Sequence, residues 1–397
     1  MEIISTTEQL NAVCADLATD AFVTVDTEFM RETTFWPQLC LIQIAGAERA
    51  VIIDPLAPGL DLAPFFNLMN DAKILKVFHA ARQDIEIVVH RAGIVPHPVF
   101  DTQVAAMVCG FGEQVGYESI VRKLAGATID KSSRFTDWSR RPLTDKQLRY
   151  ALADVTHLRQ VYSRLKTELD KSGRESWLEE EMATLTSPDT YRTDPKEAWR
   201  RLKFRARDKK SLAVFIEVAA WREREAQERN VPRSRILKDD VLAEIAVHAP
   251  KSSEDLKMLR AVPRGFSDSK MGAEVVSAVA RGLKADLSLM PRLEDVPFRE
   301  NGGALGDILR LALKVISQSE GVAPKLIASS SDLDAIAAND DADVPALHGW
   351  RRDLFGNVAL GIKRGQLSIV YEAGEVRIIG RNRATARRAL ETATTTP

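Results

Sequence analysis

Short apolar runs alternate with helix-like stretches over the first 110 residues. AFVTVD (21–26), LCLIQIA (39–45), AVII (50–53) and ILKVFH (74–79) are rich in β-branched or aromatic residues and short enough to be strands. Between them, residues 8–18 and 80–91 carry a helical period, Asp101-Thr102 opens another helix, and 144–169 reads as a long one. Strands interleaved with helices predict an α/β domain with a mixed sheet.

The strand signal then stops. Residues 187–195 are polar and hold Pro188 and Pro195, as a linker would. Helices are expected behind it at 197–207, 211–230, 238–248, 252–259 and 269–283. Pro232, Pro250 and Pro263 fall between them, where a residue that cannot continue a helix belongs. A second loose stretch, 284–302, leads into Asn301-Gly302-Gly303. Helices follow near 304–319, 323–328, 331–339 and 346–363, and LSIVYE and EVRIIG close as a hairpin around Ala373-Gly374. The expected division is an α/β domain over 1–180, an all-α module over 196–283, and a second, divergent one with its terminal hairpin over 300–385. Residues 386–397, ending TATTTP, read as a disordered tail.

A chain of 397 residues exceeds one ordinary domain, which agrees with this division. No apolar run approaches the roughly 20 residues that cross a bilayer, and the start, MEIISTTEQL, lacks the layout of a signal peptide. Cys14, Cys40 and Cys109 are widely spaced, suggesting neither a disulfide framework nor a zinc site. A cytoplasmic protein with no membrane association is expected. The net charge of −1 does not announce a nucleic-acid binder, yet residues 199–210 (WRRLKFRARDKK) hold seven Lys or Arg and one acid. That run reads equally as a solvated helix face or as a surface for an RNA backbone.

Asp26 and Glu28 end the strand AFVTVDTE, and positions i and i+2 of a strand project from one face. Two carboxylates there repel each other and lose hydration unless a cation compensates. Asp84 follows the strand ILKVFH at a helix start, and Tyr150 and Asp154 are stacked i, i+4 on the long helix. Hard oxygen donors without a His or Cys cluster suit Mg²⁺ or Mn²⁺. A pair of such ions about 3.5–4 Å apart is one solution to phosphodiester hydrolysis. Taken singly, each acid is better read as a cap, a turn or a surface pair. The ordered set, with neighbours DTEF, H-A-x-x-x-D and Y-x-x-x-D, points to catalysis.

Those stretches resemble RNase D, in the tyrosine-bearing branch of the DEDD exonucleases. VDTEFMRETTFWPQLCLIQIA is similar to the first motif of that family, KVFHAARQDIEIV to the second and DKSSRFTDWSRRPLTDKQLRYALADVTHL to the third; together they span nearly all of 1–170 in order. The resemblance implies an RNase H-like fold with a mixed five-stranded sheet. It implies a metal-dependent 3′→5′ exoribonuclease that uses two divalent ions, Mg²⁺ or Mn²⁺, and releases nucleoside 5′-monophosphates. Asp26, Glu28, Asp84 and Asp154 would bind metal, Asp26 bridging the ions, and Tyr150 would orient or deprotonate the attacking water. The implied partner is RNA with a free 3′-OH end, tRNA precursors above all, with no obligate protein partner. Residues 196–283 resemble a helicase-and-RNase-D C-terminal (HRDC) module, and GWRRDLFGNVALGIKRGQLSIVYEAGEVRII resembles the end of a second.

Phe29 and Met30 are expected beside the terminal bases, a sequence-tolerant contact. His79 has two readings, a satisfied buried histidine or a contact to phosphate or ribose. Lys131, Arg134, Arg140 and Arg141, on a loop before the catalytic helix, suit phosphate. Asp101 reads as a helix N-cap, and Trp36 and Trp138 as packing. Two other functions compete: a DNA exonuclease, since the same chemistry cleaves either backbone, and a non-catalytic RNA-binding protein on a nuclease fold. No GxxxxGK[ST] or G-x-G-x-x-G is present, which disfavours a helicase or a dinucleotide enzyme.

Overall fold

The computed structural model describes residues 1–291 and 303–380, without the side chain of Lys131. Six strands form its main sheet: β1 (Glu2–Ile4), β2 (Phe22–Met30), β3 (Gln38–Ala45), β4 (Ala50–Ile53), β5 (Leu75–Phe78) and β6 (Val99–Asp101). The spatial order is β1-β4-β3-β2-β5-β6. β3 runs antiparallel to β2 and β4, while β1, β5 and β6 pair in parallel, so the sheet is mixed as expected. The expected count of five is corrected to six. β1 and β6 are three residues each, too short to show an alternation in sequence.

Alternation along β2 and β3 gives the sheet two different faces. Val23, Val25, Ile42 and Ile44 pack with α1 (Thr7–Leu17), α2 (Ala63–Asn70) and α3 (Arg82–Ala92) in one apolar cluster. α4 (Thr102–Val108) and α5 (Tyr117–Leu124) lead to α6 (Asp145–Ser172), the long helix, which covers the opposite face. Thr144 caps α6 in a reciprocal box with Gln147, satisfying amides that a helix start leaves without partners. Thr24 Oγ1 donates to the Val155 carbonyl at 2.8 Å, tying β2 to α6. The helix expected at 197–207 is corrected to a 3₁₀ segment, Pro195–Arg201, followed by extended chain. The Phe204 ring stacks on Phe215 at 4.0 Å and Arg201 pairs with Glu223, contacts that win over helical propensity.

After α7 (Glu175–Leu185), the helices Lys209–Glu228 and Lys270–Lys284 cross closely: a Cβ on Gly282 would come within 2.6 Å of Val214 Cα. This region meets the sheet domain through the segment after β2, where Asn230 Oδ1 accepts from the amides of Phe35 and Trp36 at 3.1 and 3.0 Å. The helices of residues 303–363 share a core with α4, α6 and α7, and Trp177 stacks on Trp350 at 4.3 Å. β7 (Leu367–Glu372) and β8 (Glu375–Gly380) form the expected hairpin. The tail expected at 386–397 lies outside the described residues. No helix among the described residues is long and apolar enough to cross a membrane.

Candidate active site

β2 ends where the sheet opens into a cavity of about 630 Å³. Asp26 and Glu28 project from it on the face that α6 covers, and Asp154 comes down from α6 beside them. Ligand oxygens of these three carboxylates lie within 4.8 Å of one another. Asp84, in the first turn of α3, lines the same cavity but stands outside that triplet. Thr27, on the other face of β2, donates to Asp84 Oδ1 at 2.5 Å, and Arg31 grips Glu86 of α3 with two 2.8 Å bonds. Asp101 caps α4 and also accepts from the amides of Ala80 and Ala81 at 3.0 and 2.8 Å. Ala80 holds a φ of 61°, a left-handed conformation that an alanine keeps only when its surroundings impose it. Asp101 thereby anchors the turn that aims Asp84.

The carboxylates are poorly compensated. Burial lifts Asp26 to about 7 and Glu28 to about 10; the charges of Asp26, Asp154 and Asp84 add to the rise at Glu28, and Arg134 opposes it. Asp84 and Asp154 are pushed well up, by burial and then by Asp26. Tyr150 lines the cavity and is raised too, by burial and then by Asp154, Glu28 and Asp26. Asp154 Oδ1 is buried without a hydrogen-bond partner. Hard oxygens, crowded and short of donors, fit one or more divalent cations.

Among the expected substrate contacts, Phe29, His79 and Arg134 line the cavity. His79 Nδ1 lies 3.0 Å from Thr102 Oγ1, and burial lowers its pKa, Asp101 opposing. Met30 is a correction. It packs against the cluster of Cys40, Leu41 and Trp138, under the same sheet face from which Asp26 and Glu28 project, as strand alternation places it. Arg141 is the second correction: its guanidinium grips Asp54 at 2.6 and 2.7 Å and donates to the carbonyls of Cys40, Trp138 and Arg140. With those donors engaged, it locks the loop before α6 onto the sheet. The Lys131 side chain is not described. Trp138 is buried beside Tyr150, and Trp36 stacks on His90 at 4.3 Å.

Two residues at the site carried no sequence signal. Tyr117 Oη donates to the Asp154 carbonyl at 2.6 Å and so fixes the α6 backbone at that carboxylate. Phe135 lines the cavity with its ring 92% exposed and the Arg134 guanidinium 5.2 Å from its centroid. An aromatic followed by no apolar period was the only trace of it.

Comparison with known proteins agrees with this geometry. Residues 1–170 match the family described as 3′-5′ exonuclease, and 211–279 match the HRDC domain. The chain is 55% identical over 376 residues to ribonuclease D of Nitrobacter hamburgensis, covering 95% of this chain and 98% of that one. It belongs to the ribonuclease D family. Ribonuclease D of Granulibacter bethesdensis is 50% identical, with 95% of this chain and 96% of the relative covered. The crystal structure of Escherichia coli RNase D, described as an exoribonuclease involved in structured RNA processing, superposes with a TM-score of 0.77 at 26% identity. That match covers 92% of this chain and 98% of the other. The family is one of 3′→5′ exoribonucleases, and this chain is such an enzyme.

Proposed function

We propose that this chain trims the 3′ ends of RNA in the cytoplasm, tRNA precursors above all, using Mg²⁺ or Mn²⁺ held by Asp26, Glu28, Asp84 and Asp154. The observation that carries the reading is the convergence of Asp26, Glu28 and Asp154 to within 4.8 Å in an open cavity, with Arg134 as an opposing charge at Glu28. Bound divalent ions would supply charge neutralisation and activation of water at the scissile phosphate. The remaining work falls to the chain. Tyr150, beside Asp154, would orient the attacking water; burial and the carboxylates raise its phenol, so it would take up a proton only where adjacent metal charge lowers it again. Arg134 would meet phosphate, and Phe135 would offer a stacking face to a base near the 3′ end. Phe29 and His79 would line the slot for the terminal nucleotide.

The domain division at 1–180, 196–283 and 300–385 is retained, with the last as a second HRDC-like module. A repeated order of helices supports it. Lys209–Glu228, Arg233–Ile236 and Asp239–His248 are answered by Gly303–Glu320, Pro324–Ile327 and Ser330–Ala338, long, short and medium each time.

The test is release of 5′-mononucleotides from matched RNA and DNA strands carrying a free or a phosphorylated 3′ end. Wild-type protein with Mn²⁺ should shorten the 3′-OH RNA first, and Asp26→Asn should lose about a thousandfold or more in rate, the worth of several kcal/mol of charge stabilisation. Undiminished activity in that variant, or faster cleavage of DNA, would overturn the reading.

A further inference from the structure

Gln43 sits on β3 directly opposite Asp26 of β2. Residues paired in this way point to the same face with their Cβ atoms about 4.5–5.5 Å apart, so the amide and the carboxylate are neighbours. That face is the one under α6. Leu41, two residues along β3, and Ile52, the partner of Gln43 on β4, pack in one cluster with Leu148 and Ala151 of α6.

Gln43 is fully buried there, and neither its Nε2 nor its Oε1 has a hydrogen-bond partner. A buried amide without partners keeps the full desolvation penalty of its polar atoms, and an apolar side chain of the same shape carries no such penalty. The flanking positions of β3, Leu41 and Ala45, and the β4 partner Ile52 are apolar, so packing on that side calls for Leu or Met at position 43. Asp154 Oδ1, a member of the carboxylate cage, is likewise buried without a partner, as are Trp138 Nε1 and His79 Nε2. The unmet amide of Gln43 thus neighbours Asp26, which belongs to the same cage as the unmet Asp154 Oδ1.

We propose that Gln43 is a positioning residue of this cage, its amide Nε2 donating to the Asp26 carboxylate in the ligating arrangement and holding that carboxylate in one orientation. Gln43 does not ligate metal or touch RNA. It acts as the hydrogen-bonded neighbours of metal ligands do, by fixing the angle at which a ligand is presented. This rests on the reading of Asp26, Glu28 and Asp154 as ligands, and the experiment separates the two.

The readout is Mn²⁺ binding to the full chain without RNA, followed by electron paramagnetic resonance, together with the melting temperature of the chelator-treated protein. Gln43→Met keeps length and volume and removes the amide. It should melt at the wild-type temperature or above when metal-free, yet bind Mn²⁺ about 10- to 100-fold more weakly. Gln43→Asn keeps the amide but withdraws it by one methylene, and should show the same loss of affinity, which guards against a Met variant that packs badly. Wild-type Mn²⁺ affinity in both variants would overturn the proposal, as would a drop in melting temperature with affinity unchanged, which makes Gln43 a packing residue. A wild-type protein that binds no Mn²⁺ would instead remove the ligand reading itself, and this inference with it.

Discussion

Two regions of this protein bury carboxylates, and they do so in opposite ways. In the first helical module Glu223 is 1% exposed, and Arg233 meets both its oxygens at 2.6 Å while Arg201 approaches at 3.5 Å. Its neighbour Arg222, also buried, is answered by Asp239 at 2.7 Å and the Leu237 carbonyl. At the end of β2, Asp26, Glu28, Asp84 and Asp154 crowd together, with Arg134 as the opposing charge. The contrast teaches which acids are structural. A buried charge that the fold needs is supplied with its counter-charge by the fold, as Glu223 is, and the same Arg233 lies 4.4 Å from the Phe35 ring at the junction of module and sheet domain. A cage left electrically incomplete is completed from solution.

The sharpest way to break this comparison is to test whether the incomplete cage does chemistry. Tyr150→Phe should keep Mn²⁺ and RNA binding and lose about a hundredfold or more in turnover, the lower range for a positioned proton acceptor. Single-turnover rates at saturating RNA measure this; full speed would remove Tyr150 from the chemistry.

Next is the response to cation and pH. Asp26 and Glu28 have folded-state pKa values near 7 and 10, above their ordinary 3.8 and 4.5. For an acid raised in this way, stability is fully present below the ordinary value and is lost as pH rises through the folded one. Metal-free protein should therefore weaken from pH 5 to pH 9 in urea unfolding. Mn²⁺ at a hundred times its Kd should add about 2.7 kcal/mol at pH 8. A metal-free protein whose stability is flat or rising over that range would contradict the account.

The compensated region predicts the reverse pattern. Glu223→Gln should cost about 1–3 kcal/mol in unfolding free energy at any Mn²⁺ concentration, less than a wholly buried pair because Arg233 is 36% exposed and can rehydrate. Its Mn²⁺ affinity should stay at the wild-type value. Smallest is Phe135→Ala, where loss of one exposed stacking face, about 1 kcal/mol, should raise KM about fivefold and leave kcat alone.

Much of the site was legible because its spacings are local. Asp26 and Glu28 share a strand face through i and i+2, and Tyr150 and Asp154 share a helix face through i and i+4, so two short stretches already carry the donor set apart from Asp84. Arg141 misled because the partner that claims it, Asp54, lies 87 residues away. Met30 misled because alternation puts it on the face of Asp26 and Glu28 without telling that Trp138, 108 residues on, covers it there. Gln43 and Phe135 looked like any strand glutamine and any loop aromatic until their neighbours were in place.

By itself the sequence determined the α/β character, the helical modules behind it, the hairpin and the identity of the metal-ligand candidates, since each rests on periods and caps within a few residues. Only the tertiary structure decided the six-stranded order, the diversion of Arg141 and the unmet amide of Gln43 under α6. The physical reason is reach. Backbone propensity and side-chain period act over one or two turns, whereas charge compensation and burial depend on which distant residues the fold brings within a few ångströms.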